Sequence, residues 1–184
     1  MTKALLFLAV AMMIFMAGCH NQNPKTSLKE VQKAEAALFN SDMTTNAEAV
    51  PAAIETFSKY AAENPDAENA AEYLFKALEV SVNTKQDPAQ SIDLADRFMK
   101  EYPKYEKAPV ALFMLASFVY EDQLHDLDKA RDAYQRIVDD YPDSPFARDA
   151  AASIQHLGMT PEELIRMFEE ASSEEDASAV ESEK

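Results

Sequence analysis

The stretch YPKYEKAPVALFMLA, residues 102–116, decides the fold. A proline follows an aromatic, a short polar run leads to a second proline, and an unbroken apolar run begins. Two other stretches share this rhythm: NPDAENAAEYLFKALEV from Asn64, and YPDSPFARDAAASIQ from Tyr141. Aligned on Pro65, Pro103 and Pro142, the three are spaced by 38 and 39 residues. A constant period of this size marks a helical repeat array.

The register holds on both sides of each proline. Eight residues before it stand Phe57, Ala95 and Tyr134, and five before it Tyr60, Phe98 and Ile137. Five after it stand Ala70, Ala108 and Ala147, nine after it Leu74, Leu112 and Ala151, and twelve after it Ala77, Leu115 and Ile154. These offsets fall on one face of a helix, so each unit reads as helix, proline turn, helix.

Start and stop signals agree. Asp87-Pro88-Ala89-Gln90 and Thr160-Pro161-Glu162-Glu163 each set a capping side chain before a proline at the first helical position, with Gln or Glu placed to complete a capping box. Ser27-Leu28-Lys29-Glu30 has the box without the proline, Ser144-Pro145 opens another helix, and Gly158 stands where a C-cap wants positive φ. The pattern predicts helices over 27–39, 47–63, 67–83, 88–101, 105–122, 127–140, 145–157 and 160–171. The expectation is an all-α, right-handed solenoid of about eight helices, occupying residues 27–171.

Composition supports helices and excludes several functions. The chain has two glycines, too few for the turns and phosphate loops of a β-sandwich or doubly wound α/β domain. A net charge of −16 opposes contact with phosphate backbones and anionic lipid, so no nucleic-acid partner is expected. Trp is absent, removing the best platform for stacking on sugars or bases. Residues 172–184, SSEEDASAVESEK, carry five acids against one lysine and read as a disordered acidic tail.

At the other end, one lysine precedes ALLFLAVAMMIFMAG, residues 4–18, and the run stops at Cys19, the single cysteine. As a helix the run reaches about 22 Å, short of the roughly 30 Å hydrocarbon core. It reads as a secretory leader over 1–18, followed by a polar tether over 19–26. An ordinary signal with an incidental cysteine and a retained anchor helix are the alternatives.

Met16-Ala17-Gly18-Cys19 resembles the lipobox of bacterial lipoproteins, with Met16 in place of the commoner Leu. The resemblance implies acylation of Cys19 with palmitate-type chains and cleavage before it. Two or three chains hold stably where one binds only marginally. His20, where Asp favours inner-membrane retention in enterobacterial lipoproteins, points by the same resemblance to the outer membrane.

Residues 50–158 resemble the tetratricopeptide repeat, in the longer form of outer-membrane assembly lipoproteins of the BamD type and the Tol-Pal coordinator family. The units exceed the usual 34 residues, Leu78 and Ala116 replace the first-helix glycine, and Ala150-Ala151-Ala152 stands where bulk is the rule. The resemblance implies a concave groove lined by the first helix of each unit. Its candidate partner-binding residues are Glu72, Phe75, Glu79, Phe113, Ser117 and Tyr120, with burial between repeats the competing reading for Phe75 and Phe113.

No catalytic constellation emerges. His20, His125 and His156 lack metal-ligand spacing and read as surface or capping residues, and Asp139-Asp140-Tyr141-Pro142-Asp143 reads as a helix end rather than a calcium loop. Neither metal nor cofactor is expected, and enzyme activity is not. The expected function is a scaffold or adaptor for envelope proteins, lipid-anchored at the periplasmic face of the outer membrane, with capture of a small ligand or glycan as the alternative.

Overall fold

The computed structural model of the chain describes residues 25–170. The expected leader, most of the tether and the acidic tail lie outside these residues. In chain order the helices are α1 (Leu28–Ala37), α2 (Val50–Glu63), α3 (Ala70–Asn83), α4 (Pro88–Glu101), α5, α6 (Leu127–Asp140) and α7 (Pro145–His156), followed by α8 over 161–170. Helix α5 is α-helical over Ala108–Met114 and continues as a π-helix over Leu115–Gln123. Among the described residues the pairing of extended backbone is limited to one isolated antiparallel bridge, Phe39 with Thr45.

The proline turns repeat in geometry as well as sequence. Helices α2, α4 and α6 end on Asn64, Tyr102 and Tyr141, with φ of −129°, −131° and −133° and ψ of 54°, 48° and 52°. The proline that follows crowds each of these residues out of the helical region, so the helix stops there. Two turn bonds then recur at fixed offsets: Ala67 N–H to Asn64 O, Tyr105 N–H to Tyr102 O and Ser144 N–H to Tyr141 O, at 3.0, 3.1 and 2.9 Å, and a second set into Ala70, Ala108 and Ala147.

The residues that share a register share the core. Phe57, Ala95 and Tyr134 are buried, as are Tyr60, Phe98 and Ile137 and, one helix on, Leu74, Leu112, Ala77 and Leu115. Burying a side chain of Leu or Phe size contributes about 1.5–3 kcal/mol, which makes this ladder the main stabilising term. Two buried hydroxyls, Ser81 and Ser91, satisfy each other at 2.8 Å between α3 and α4. Arg97 on α4 reaches back to α2, donating to Ser58 Oγ at 2.7 Å and Ser58 O at 3.2 Å.

The π-helix explains the unequal period. From Ala70 to Pro88 the first unit advances 18 residues, and from Ala108 to Leu127 the second advances 19. The extra residue is taken up inside α5, where the wider winding gives i→i−5 bonds such as Leu124 N–H to Val119 O at 2.9 Å. Beyond α5, helix α6 regains the register and ends on the same turn geometry as α2 and α4.

At its N-terminus the domain is pinned. The Thr26 N–H donates to Glu63 Oε2 at 2.6 Å, and Asn64 Nδ2 donates to Thr26 O at 3.1 Å. Tyr141 makes a similar link two array positions later, its hydroxyl donating to Pro103 O at 2.8 Å. Helix α1 starts immediately after Thr26 with the full Ser27–Glu30 capping box, and packs Val31 and Leu38 against the repeats.

Candidate partner-binding groove

A cleft of about 550 Å³ opens between α5, α6 and α7. The apolar turn of α5 that carries Phe113 packs its ring on Tyr134 of α6 at 5.3 Å and on Phe146 of α7 at 5.6 Å. One turn along, Ser117 and Glu121 line the same cleft, facing Ser153 and His156 of α7. The Tyr134 hydroxyl donates to Glu121 Oε2 at 3.2 Å, and burial raises the Tyr134 pKa, so the phenol stays a donor. The result is an open cleft with an aromatic floor and hydroxyl, carboxylate and imidazole groups above it.

The other predicted groove residues go elsewhere. Phe75 is 3% exposed, packed on Phe98 with ring centroids 5.7 Å apart and covered by Lys107 Nζ at 4.9 Å from its centroid. Burial between repeats is thus the reading that holds for Phe75, while Phe113 is half-buried and still reaches the cleft. Glu72 is drawn into the same joint, accepting from Lys107 Nζ at 2.8 Å and from Tyr105 OH at 3.1 Å. Burial pushes the Glu72 pKa up, but the bonds from Lys107 and Tyr105 outweigh it and the net shift is downward. Glu79 is exposed on α3.

Tyr120 corrects the expectation of a single face. In a regular α-helix Phe113, Ser117 and Tyr120 share a side, but the π-helical winding from Leu115 swings Tyr120 away. It lines a separate hollow with Asp96 of α4 and Arg136 of α6, under Lys129 Nζ at 5.7 Å from its ring centroid.

Two cleft residues, Glu121 and Ser153, went unread in the sequence, and His156, expected at the surface or in a capping role, lines the cleft as well, since a lone polar residue near a helix end carries no signal until the neighbouring helix is placed. His125, in the loop after α5 with φ of 52°, sets Nδ1 at 3.1 Å from Glu121 O, a capping position. Among the described residues no group of three or more His, Cys, Asp or Glu is placed to hold a metal ion, and no helix is long and apolar enough to cross a membrane.

Helix pairs stacked on a proline-phased period, with a cleft between successive first helices, define an all-α repeat protein of the tetratricopeptide-like class. Residues 31–160, more than two thirds of the chain, match the family described as an outer membrane lipoprotein, YfiO, and the chain belongs to that family. No curated protein and no solved structure matches it.

Proposed function

We propose that this chain is a scaffold of the bacterial envelope, carried on the periplasmic face of the outer membrane by acyl chains on Cys19, which grips a segment of another envelope protein and serves outer-membrane protein assembly. In this reading residues 1–18 are a removed leader, 19–26 a tether, 27–171 the repeat domain and 172–184 an acidic tail. The observation that carries it is the cleft formed by Phe113, Ser117, Tyr134 and Ser153, which combines an aromatic floor with polar side chains in a family of outer membrane lipoproteins. Phe113 and Ser117 are the gripping residues. Glu72 and Phe75 position the groove by locking α3 to the start of α5.

Crosslinking in cells followed by purification from detergent-solubilised membranes tests the grip. A discrete envelope protein should be recovered with the native chain and lost with Ser117→Arg, which fills the cleft from a half-buried position. Recovery of the chain alone, or an unchanged partner with Ser117→Arg, refutes it. Growth with labelled palmitate tests the anchor separately: label on the native chain and none on Cys19→Ser is the expected result.

A further inference from the structure

The terminal helix α1, with the residue just before Thr26, carries a row of lysines in a chain of strongly acidic balance. Its core face is Val31, Ala34 and Leu38. At about 100° per residue, Lys29 and Lys33 lie roughly 160° and 200° round from Val31, on the ridge farthest from the core. Both are exposed, as is Lys25 just before the Thr26 clamp. None of the three makes an ion pair with a described residue, though Lys25 helps lower the pKa of Glu63.

The two acids of the same helix are occupied. Glu30 is held in the Ser27 capping box, and Glu35 is paired across to Lys76 on α3. Residues 25–37 thus hold three lysines against two engaged glutamates, whereas residues 38–184 hold 13 Lys and Arg against 31 Asp and Glu. The N-terminal segment thus carries a small local excess of positive charge in a strongly acidic chain.

We infer that the ridge of α1 formed by Lys29 and Lys33, together with Lys25 ahead of the helix, is a contact surface for anionic phospholipid headgroups that stands the array end-on to the bilayer. The inference rests on the proposed anchor at Cys19 for its setting. Thr26 lies seven residue steps after Cys19, a reach of at most about 25 Å, so the acyl chains would bring α1 to the surface before any other helix. Electrostatic attraction acts within a Debye length of about 8 Å, a distance the ridge reaches and the later repeats do not. The acidic remainder is repelled by the same surface, which opposes side-on contact and leaves the cleft between α5 and α7 facing away from lipid.

The test uses the processed chain, residues 19–184, with Cys19→Ser so that no acyl chain contributes. It keeps the whole core, which runs from Val31 to Ala150. Cosedimentation with phosphatidylglycerol-containing vesicles should exceed that with pure phosphatidylcholine vesicles. At about fivefold per lysine, the triple variant Lys25→Gln, Lys29→Gln, Lys33→Gln should lose about a hundredfold of that partitioning. The triple Lys→Arg variant should retain it, and about 1 M salt, with a Debye length of about 3 Å, should abolish it.

Equal binding to both vesicles, or a Lys→Gln variant that binds as the parent does, overturns the inference. So does tighter binding of the same three lysines to polyglutamate than to the anionic vesicles, which would assign the ridge to an acidic protein. Palmitate labelling of the native chain is read independently, so a failed anchor and a failed lipid ridge give different results.

Discussion

Helices α3 and α7 hold equivalent places in their units but have different surroundings. In α3, Ala70, Leu74 and Ala77 are fully buried among α2, α4 and α5; at the same offsets in α7, Ala147, Ala151 and Ile154 are only partly buried. The helix that follows α7 leaves Ile165 and Phe168 58% and 59% exposed. A helix in a stacked array takes its core from neighbours on both sides, so its stability depends on position as much as on its own sequence.

The strongest way to break that comparison is to truncate matched residues. Leu74→Ala should cost about 2–5 kcal/mol, seen as a lower urea midpoint. Ile154→Ala should cost about half of that or less, because a partly exposed side chain has less area to return to water. Equal losses would show that α7 is as enclosed as α3.

Gly158, which ends α7 with φ of 80°, sharpens the contrast at the C-terminal end. A Cβ there would lie 2.9 Å from Leu127 Cδ1, the end of a side chain with room to move, so the backbone conformation sets most of the effect. Gly158→Ala should destabilise by about 1–2 kcal/mol, measured by thermal denaturation.

The two tyrosines that precede prolines should respond in opposite directions. The Tyr141 hydroxyl donates to Pro103 O, while the buried Tyr102 hydroxyl finds no hydrogen-bond partner among the described residues. Tyr141→Phe should lower stability by about 1 kcal/mol and Tyr102→Phe should raise it by about the same amount, since an unmet buried polar group costs more than its absence. A change of the same sign in both would remove the distinction between the two turns.

The smallest effect belongs to the N-terminal clamp. The Thr26 backbone N–H holds the Glu63 carboxyl below its ordinary pKa. A lowered folded-state pKa contributes stability above the unfolded value and loses it as pH falls through the folded one. The protection of the Thr26 amide, its exchange rate set against the intrinsic rate at the same pH, should therefore fall on acidification below about pH 4, and Glu63→Gln should lower it at neutral pH already.

How much of this was legible varied with the local chemistry. The bounds 88–101 and 127–140 read from sequence are those of α4 and α6, because Asp87 and Asp126 cap their starts and Tyr-Pro pairs fix their ends. Asp87 caps through Ala89 N–H, while the Thr160–Glu163 pair forms the reciprocal box. Helices α2, α3 and α5 each begin three residues later than expected. Ala49, Asn69 and Lys107 make no side-chain cap bond, so the entering turn looks helical in sequence.

The cleft was half legible. Of the groove positions that the family resemblance implies, Phe113 and Ser117 line the cleft, but Tyr120 does not, because the winding of α5 changes after Met114. The period of 39 against 38 held that information without saying where the extra residue goes. Glu72 and Phe75 carry groove-facing offsets, yet Lys107, 35 residues beyond Glu72, draws both into a joint that no single helix reveals.

The Thr26 clamp has a mechanical consequence. Tension entering through the chain's N-terminus meets the Glu63 and Asn64 bonds side by side before it reaches α1. Load shared in shear across two bonds resists rupture better than the same bonds peeled one after another, so a pull on the chain ahead of Thr26 is carried to the end of α2 instead of unzipping the first helix from its neighbours.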